Sequence, residues 1–208
     1  MVNDLFEAHG DNFIPFFCHL GGEAGSGGAS SRANFYELQY TPYLWLNGAD
    51  DAGYDYPDWE GDLAAHQGQE TDVTIGIFTK IEGPILRVSA AVCIEDGGVG
   101  RDMRIYIAQV LDNFPESASY YRNALRQVQS KDVTVEAGQF VDVPAIMVLP
   151  DLDLGRPEDL GVVVWAQEPL GSAPAEIFQA AIGGRRRPLP VGAQTDGIGK
   201  EPSEDQGR

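Results

Sequence analysis

The chain has 208 residues, 43% of them hydrophobic and 10% aromatic, enough apolar matter for one large domain or two small ones. Its 14 Lys and Arg stand against 32 Asp and Glu, a formal net charge of −18 that argues against nucleic acid and anionic membrane surfaces, both of which require cations. No run of about 18 apolar residues is present to span a membrane, residues 1–7 lack the basic and apolar regions of a signal peptide, and two cysteines, Cys18 and Cys93, impose no disulfide framework.

Residues 3–9 read as the end of a helix that Gly10 stops. The apolar run Phe13-Ile14-Pro15-Phe16-Phe17-Cys18-His19 predicts a buried strand, and the Gly/Ser/Ala-rich residues 21–30 predict a flexible loop. Residues 31–38 (SRANFYEL) read as a capped helix. A Thr41-Pro42 turn then leads into an apolar second strand that closes at Asn47-Gly48. Residues 50–59 are acidic and aromatic. Pro57-Asp58-Trp59-Glu60 reads as a helix start with carboxylates near its positive end, and the helix runs to about His66 before Gly68. The pattern to this point is β-α-β-α.

From Asp72 the period changes to two, first over Val73, Ile75 and Ile77. It continues over Leu86, Val88, Ala90, Val92 and Ile94, then over Met103, Ile105 and Ile107. Further strands are predicted around residues 133–135, 146–148 and 161–167, which together describe an antiparallel sandwich. Residues 175–182 fit a closing strand or a short helix, between which periodicity does not choose. Residues 183–208, with Arg185-Arg186-Arg187, prolines and glycines, read as a disordered tail. A boundary near residues 67–71 divides an α/β part from an all-β part, an α+β chain of two domains.

Few residues suggest chemistry. Cys18 reads as a small buried hydrophobe, with His19 on the opposite face of its strand; Cys93 reads as a lone thiol. His9, His19 and His66 do not have metal-ligand spacing. Asp50, Asp51, Asp55, Asp58 and Asp62 offer carboxylate oxygens for calcium but lack EF-hand spacing, so a solvated acidic loop is the expectation. The same holds for Asp151, Asp153, Glu158 and Asp159. Gly97-Gly98-Val99-Gly100 reads as a hairpin turn. No cofactor and no metal are implied.

Three stretches carry a resemblance: Ile14-Pro15-Phe16-Phe17-Cys18-His19; Ser31-Arg32 through Tyr36 with Thr41-Pro42 and Asn47-Gly48; and, in the β part, residues 103–112, 121–126 and 161–167. By these the chain resembles the thioredoxin-like proteins related to outer membrane protein 28, a bacterial envelope family. The resemblance implies a partial thioredoxin-like α/β domain over residues 1–68, without the first strand and Cys-x-x-Cys, and an antiparallel immunoglobulin-like β-sandwich over residues 72–182. It also implies that Thr41-Pro42 is a cis peptide facing a bound peptide. The expected function is a non-catalytic protein-interaction module of the cell envelope with a protein or peptide partner. The alternative is a fragment of a thiol-disulfide oxidoreductase whose Cys-x-x-Cys lies upstream of Met1. The location implied is envelope or extracellular, although residues 1–7 offer no export signal.

Overall fold

The computed structural model describes Leu5 and residues 8–9, 13–19, 26–38, 43–54, 57–112, 114 and 122–184. Within them the chain is β-rich, with few helices and several antiparallel sheets. The strands are β1 (Leu44–Leu46), β2 (Asp50–Gly53), β3 (Val73–Glu82), β4 (Ile85–Ile94), β5 (Arg101–Leu111), β6 (Ala124–Val135), β7 (Phe140–Val148), β8 (Leu160–Gln167) and β9 (Ile177–Gly183). The helices are α1 (Gly27–Phe35), α2 (Trp59–His66) and the single turn α3 (Asp151–Leu154).

A three-stranded sheet in the order β3-β4-β7 faces a four-stranded sheet in the order β6-β5-β8-β9. Alternation places Leu86, Val88, Ala90, Val92 and Ile94 of β4 inward, against Met103, Ile105 and Ile107 of β5 and Val162 and Val164 of β8. The second faces of β5 and β8 are also covered: Tyr106, Ala108, Val110, Val163 and Trp165 form another cluster with Ala29 of α1, packed by Ile14, Phe16 and Cys18. A strand buried on both sides cannot alternate with polar residues, which accounts for the unbroken Val162-Val163-Val164-Trp165-Ala166 run. A third, smaller core joins Leu5, Phe13, Leu46, Trp59 and Leu63.

Several elements differ from expectation. Residues 13–19 are extended, but their ladder partner is the sandwich: Phe17 bridges Ala124 in parallel, its N–H donating to Asn123 O (3.2 Å) and its carbonyl accepting from Leu125 N–H (2.9 Å). The first long helix starts at Gly27 rather than Ser31, because Ser26 caps it and also bonds to Leu125 O (2.8 Å). Gly28 permits the approach to β6, since a Cβ there would stand 3.1 Å from Val128 Cγ1. The helix ends three residues earlier than expected, where Glu37 takes φ 53° and Leu38 N–H bonds back to Ala33 O (3.0 Å). Residues 97–100 do not form a hairpin within one sheet; they carry the chain from β4 in one sheet to β5 in the other. Residues 50–53 form β2, not a loop, and residues 177–183 are a strand. Helix α2 lies where the sequence places it, with Gly68 at φ 75° beyond its end.

Candidate functional site

The junction between α1 and the four-stranded sheet brings polar and aromatic groups together around one cation. Arg32, on the buried side of α1, is only 2% exposed. Its guanidinium carbon lies 4.3 Å from the ring centre of Phe35, 4.8 Å from Tyr36, 4.7 Å from Tyr106 and 5.4 Å from Trp165. Tyr106 and Trp165 stack at 4.8 Å and 10°, and Phe16 leans on Trp165 at 5.3 Å, so two of the rings are held rigidly. Arg32 Nη2 donates to Tyr36 Oη (2.8 Å) and to Gln167 Oε1 (3.2 Å), while its Nε is buried with no acceptor. Cation–ring contacts contribute about 0.5–2 kcal/mol each, against a desolvation cost of several kcal/mol for an ion. The rings therefore offset much of the cost but bring no negative charge.

Gln167 is the keystone of this arrangement. It is fully buried, accepts from Arg32 and from Trp165 Nε1 (3.3 Å), and donates through Nε2 to Ala175 O (2.8 Å). The Asn47-Gly48 turn of the β1–β2 hairpin inserts beside it. Ala175 N–H donates to Gly48 O (3.0 Å), and Ile177 N–H donates to Asn47 O (2.7 Å). With φ 46° at Asn47 and 74° at Gly48, and Ala49 N–H bonded to Leu46 O, this is the mirror-image turn that Asn-Gly favours.

Beside the cage lies a groove of about 450 Å³. Arg32, Asn34 and Ser31 line it from α1, and Arg104, Gln129 and Ser130 from the sheet. Arg104 is committed elsewhere. It grips Asp132 through Nε (2.6 Å) and Nη2 (2.9 Å) and donates Nη1 to Leu170 O (3.0 Å). The hydrogen bond to Asp132 raises the Arg104 pKa further, and the same bond holds the Asp132 carboxyl below its usual range.

Thr41 and Pro42 lie outside the described residues, so the expected peptide-facing turn is a proposal. Cys18 packs against the outer-face cluster, as its sequence context suggests. The residue as a whole is half-buried, but burial of its thiol pushes the pKa to about 12, the charge of Arg32 pulling the other way. A thiol of that kind is protonated at neutral pH and is a poor nucleophile. Burial lowers the His19 pKa. Cys93, on β4, is a free thiol, as is Cys18.

In each acidic segment two carboxylates have partners, while Asp58, Asp151 and Glu158 are exposed as expected. Asp50 approaches His66 Nε2 (3.2 Å), and Asp51 accepts from Tyr43 Oη (2.8 Å) and Gly53 N–H (2.9 Å). Asp153 is completely buried, accepting from Gln109 Nε2 (2.9 Å) and Arg126 Nε (3.3 Å). Arg126 is the extra residue of a bulge, since Gln109 pairs with Gln127 and Val110 with Leu125, and such a bulge re-aims its side chain. Asp159 pairs with Arg156 at 2.7 Å. Among the described residues no group of three or more His, Cys, Asp or Glu is placed to hold a metal ion.

Sequence reasoning placed Arg32 on a helix but did not single it out, and it missed Arg104, Tyr106 and Gln167 as partners. The available signal was Gln167, a polar residue ending an apolar run. The cage joins residues more than a hundred positions apart, which periodicity does not reveal.

No protein-family model matches the chain, and no curated protein matches it in sequence. Among solved structures, HBP35 of Porphyromonas gingivalis superposes with a TM-score of 0.62 at 10% identity, over 84% of this chain and 61% of that one. The chain thus spans about 61% of the length of that neighbour, with which it shares the fold. Protein AGR_C_4864 from Agrobacterium tumefaciens superposes with a TM-score of 0.49 at 22% identity, over 83% of this chain and 78% of that one. The described architecture is a β-rich protein whose antiparallel two-sheet sandwich carries α1 and an extended segment on one outer face.

Proposed function

We propose that the chain is a non-catalytic thioredoxin-like/β-sandwich module of the bacterial cell envelope that binds a protein or peptide. The observation that carries this reading is the groove of about 450 Å³ where α1 meets the sheet, a ligand-sized cleft between two parts of the chain. The shared fold with HBP35 of Porphyromonas gingivalis supports a bacterial protein of this architecture. The split of strands into β3-β4-β7 and β6-β5-β8-β9 supports an immunoglobulin-like assignment for residues 72–182. Residues 1–68 are proposed as the partial thioredoxin-like domain, with Thr41 and Pro42 as a second peptide-facing element. The protonated Cys18 thiol supports a binding role over a redox role.

The test is a pair of measurements on the full chain: insulin reduction with dithiothreitol, and fluorescence anisotropy with a set of labelled peptides. Saturable peptide binding without accelerated insulin reduction is expected. Clear turnover of insulin, or no binding by any peptide, overturns the reading. Turnover would favour the second reading, a portion of a thiol-disulfide oxidoreductase, which an in-frame Cys-x-x-Cys preceding Met1 in the gene would support.

A further inference from the structure

Arg32 carries a charge that the described residues leave uncompensated. An ion withdrawn from water costs several kcal/mol unless an opposite charge and complete hydrogen bonding accompany it. Other arginines packed into this protein meet that condition: Arg126 pairs with Asp153, Arg122 with Asp112, Arg156 with Asp159 and Arg101 with Asp72. Arg32 is more deeply buried than most and receives only two neutral oxygens, with Nε–H left without an acceptor. No carboxylate among the described residues forms an ion pair with it, in a chain with 32 Asp and Glu to draw on. Arg32 is also one of the residues that line the groove beside the cage.

We propose that this groove binds a carboxylate group, which pairs with the Arg32 guanidinium. The assignment deepens the binding-module reading and rests on the same groove, but it names the ligand's chemistry. Arg104 does not add a second free cation, because Asp132 neutralises it with two hydrogen bonds of 2.6 and 2.9 Å. The groove therefore presents one uncompensated positive charge, which matches a monoanion better than a phosphate dianion in a protein of net charge −18. A planar carboxylate also suits the guanidinium fork. Ser31, Asn34 and Ser130 supply exposed neutral donors and acceptors around it, while the Gln129 amide is held by its bond from Nε2 to Ile146 O (2.7 Å). The carboxylate belongs either to an acidic side chain of a peptide or to a small free organic acid.

Titration of the full chain by calorimetry separates these sources. The probes are propionate, a blocked Gly-Glu-Gly peptide, its Gly-Gln-Gly counterpart and inorganic phosphate. The Glu peptide is expected to bind and the Gln peptide not to bind. Propionate binding as tightly as the Glu peptide identifies a free acid as sufficient, whereas binding by the peptide alone identifies a peptide source. Arg32→Lys is expected to weaken binding about tenfold through loss of the fork. Asn34→Asp, at an exposed position on the groove's rim, is expected to weaken it similarly by repulsion while leaving the circular dichroism spectrum unchanged. If Arg32→Lys does not fold, Asn34→Asp decides. Absence of binding by both carboxylate probes, insensitivity to both substitutions, or tighter binding of phosphate overturns the proposal. Peptides that bind independently of Glu and of Arg32 would sink the carboxylate site and leave the module reading intact. Propionate binding with no peptide binding would do the reverse.

Discussion

Gly48→Ala adds one methyl group where the β1–β2 hairpin docks into the sandwich. Alanine at φ 74° costs about 1 kcal/mol, partly offset by about 0.5 kcal/mol from the stiffer unfolded chain. The new Cβ would overlap the Ala175 carbonyl oxygen and stand 2.7 Å from Gln167 Nε2 and 2.9 Å from Ile177 Cγ1. A backbone oxygen cannot rotate aside, so the turn must withdraw. Withdrawal loosens the bonds of Ala175 N–H to Gly48 O and Ile177 N–H to Asn47 O, about 1 kcal/mol each. With the overpacking of a closed contact, the destabilisation comes to about 3–5 kcal/mol. The assay is urea denaturation followed by tryptophan fluorescence, with Gly61→Ala as the matched control. Gly61 lies inside α2 with nothing within 4 Å of its ideal Cβ, so that substitution should stabilise by about 0.5–1 kcal/mol. A Gly48→Ala protein within about 1 kcal/mol of the parent would refute the docking of this turn.

Asp153→Ala should destabilise by about 3–5 kcal/mol, because it strips a buried carboxylate from Arg126 and Gln109. Asp132→Asn, at the exposed pair with Arg104, should cost under about 1 kcal/mol, and denaturation midpoints compare the two. The Cys18 pKa is raised from 9.0 to about 12, so the folded state keeps a proton that the unfolded chain releases. Its stabilisation is complete below pH 9.0 and is lost as the pH rises toward about 12. Cys18→Ala should flatten that alkaline loss in a series of melting curves, and an unchanged slope counts against the buried thiol. Glu37→Gly should raise stability by about 0.5–1 kcal/mol by relieving a left-handed residue that ends α1, as measured by urea midpoint.

Legibility followed the range of the forces involved. Helix α2 was readable because its signals are local: Pro57 and Asp58 at the start, Gly68 beyond the end. Strands β3, β4 and β5 were readable because a period of two records one buried face. The start of α1 was misplaced because Gly27 and Gly28 are poor helix formers. Their helical state depends on Ser26 bonding to Leu125 and on packing against Val128. Asp153 looked like part of a solvated turn because nothing nearby in sequence announces that Arg126 will bulge toward it.

Composition and periodicity were enough to establish an acidic, β-rich chain with a sandwich in its second part, since those properties depend on neighbours within a few residues. The partnership of Arg32 with Tyr106, Trp165 and Gln167, and the groove beside it, arose only on packing α1 across the sheet. The reason is physical: a buried cation's neighbours are chosen by which strands lie side by side, and strand order is a long-range outcome that no local pattern encodes.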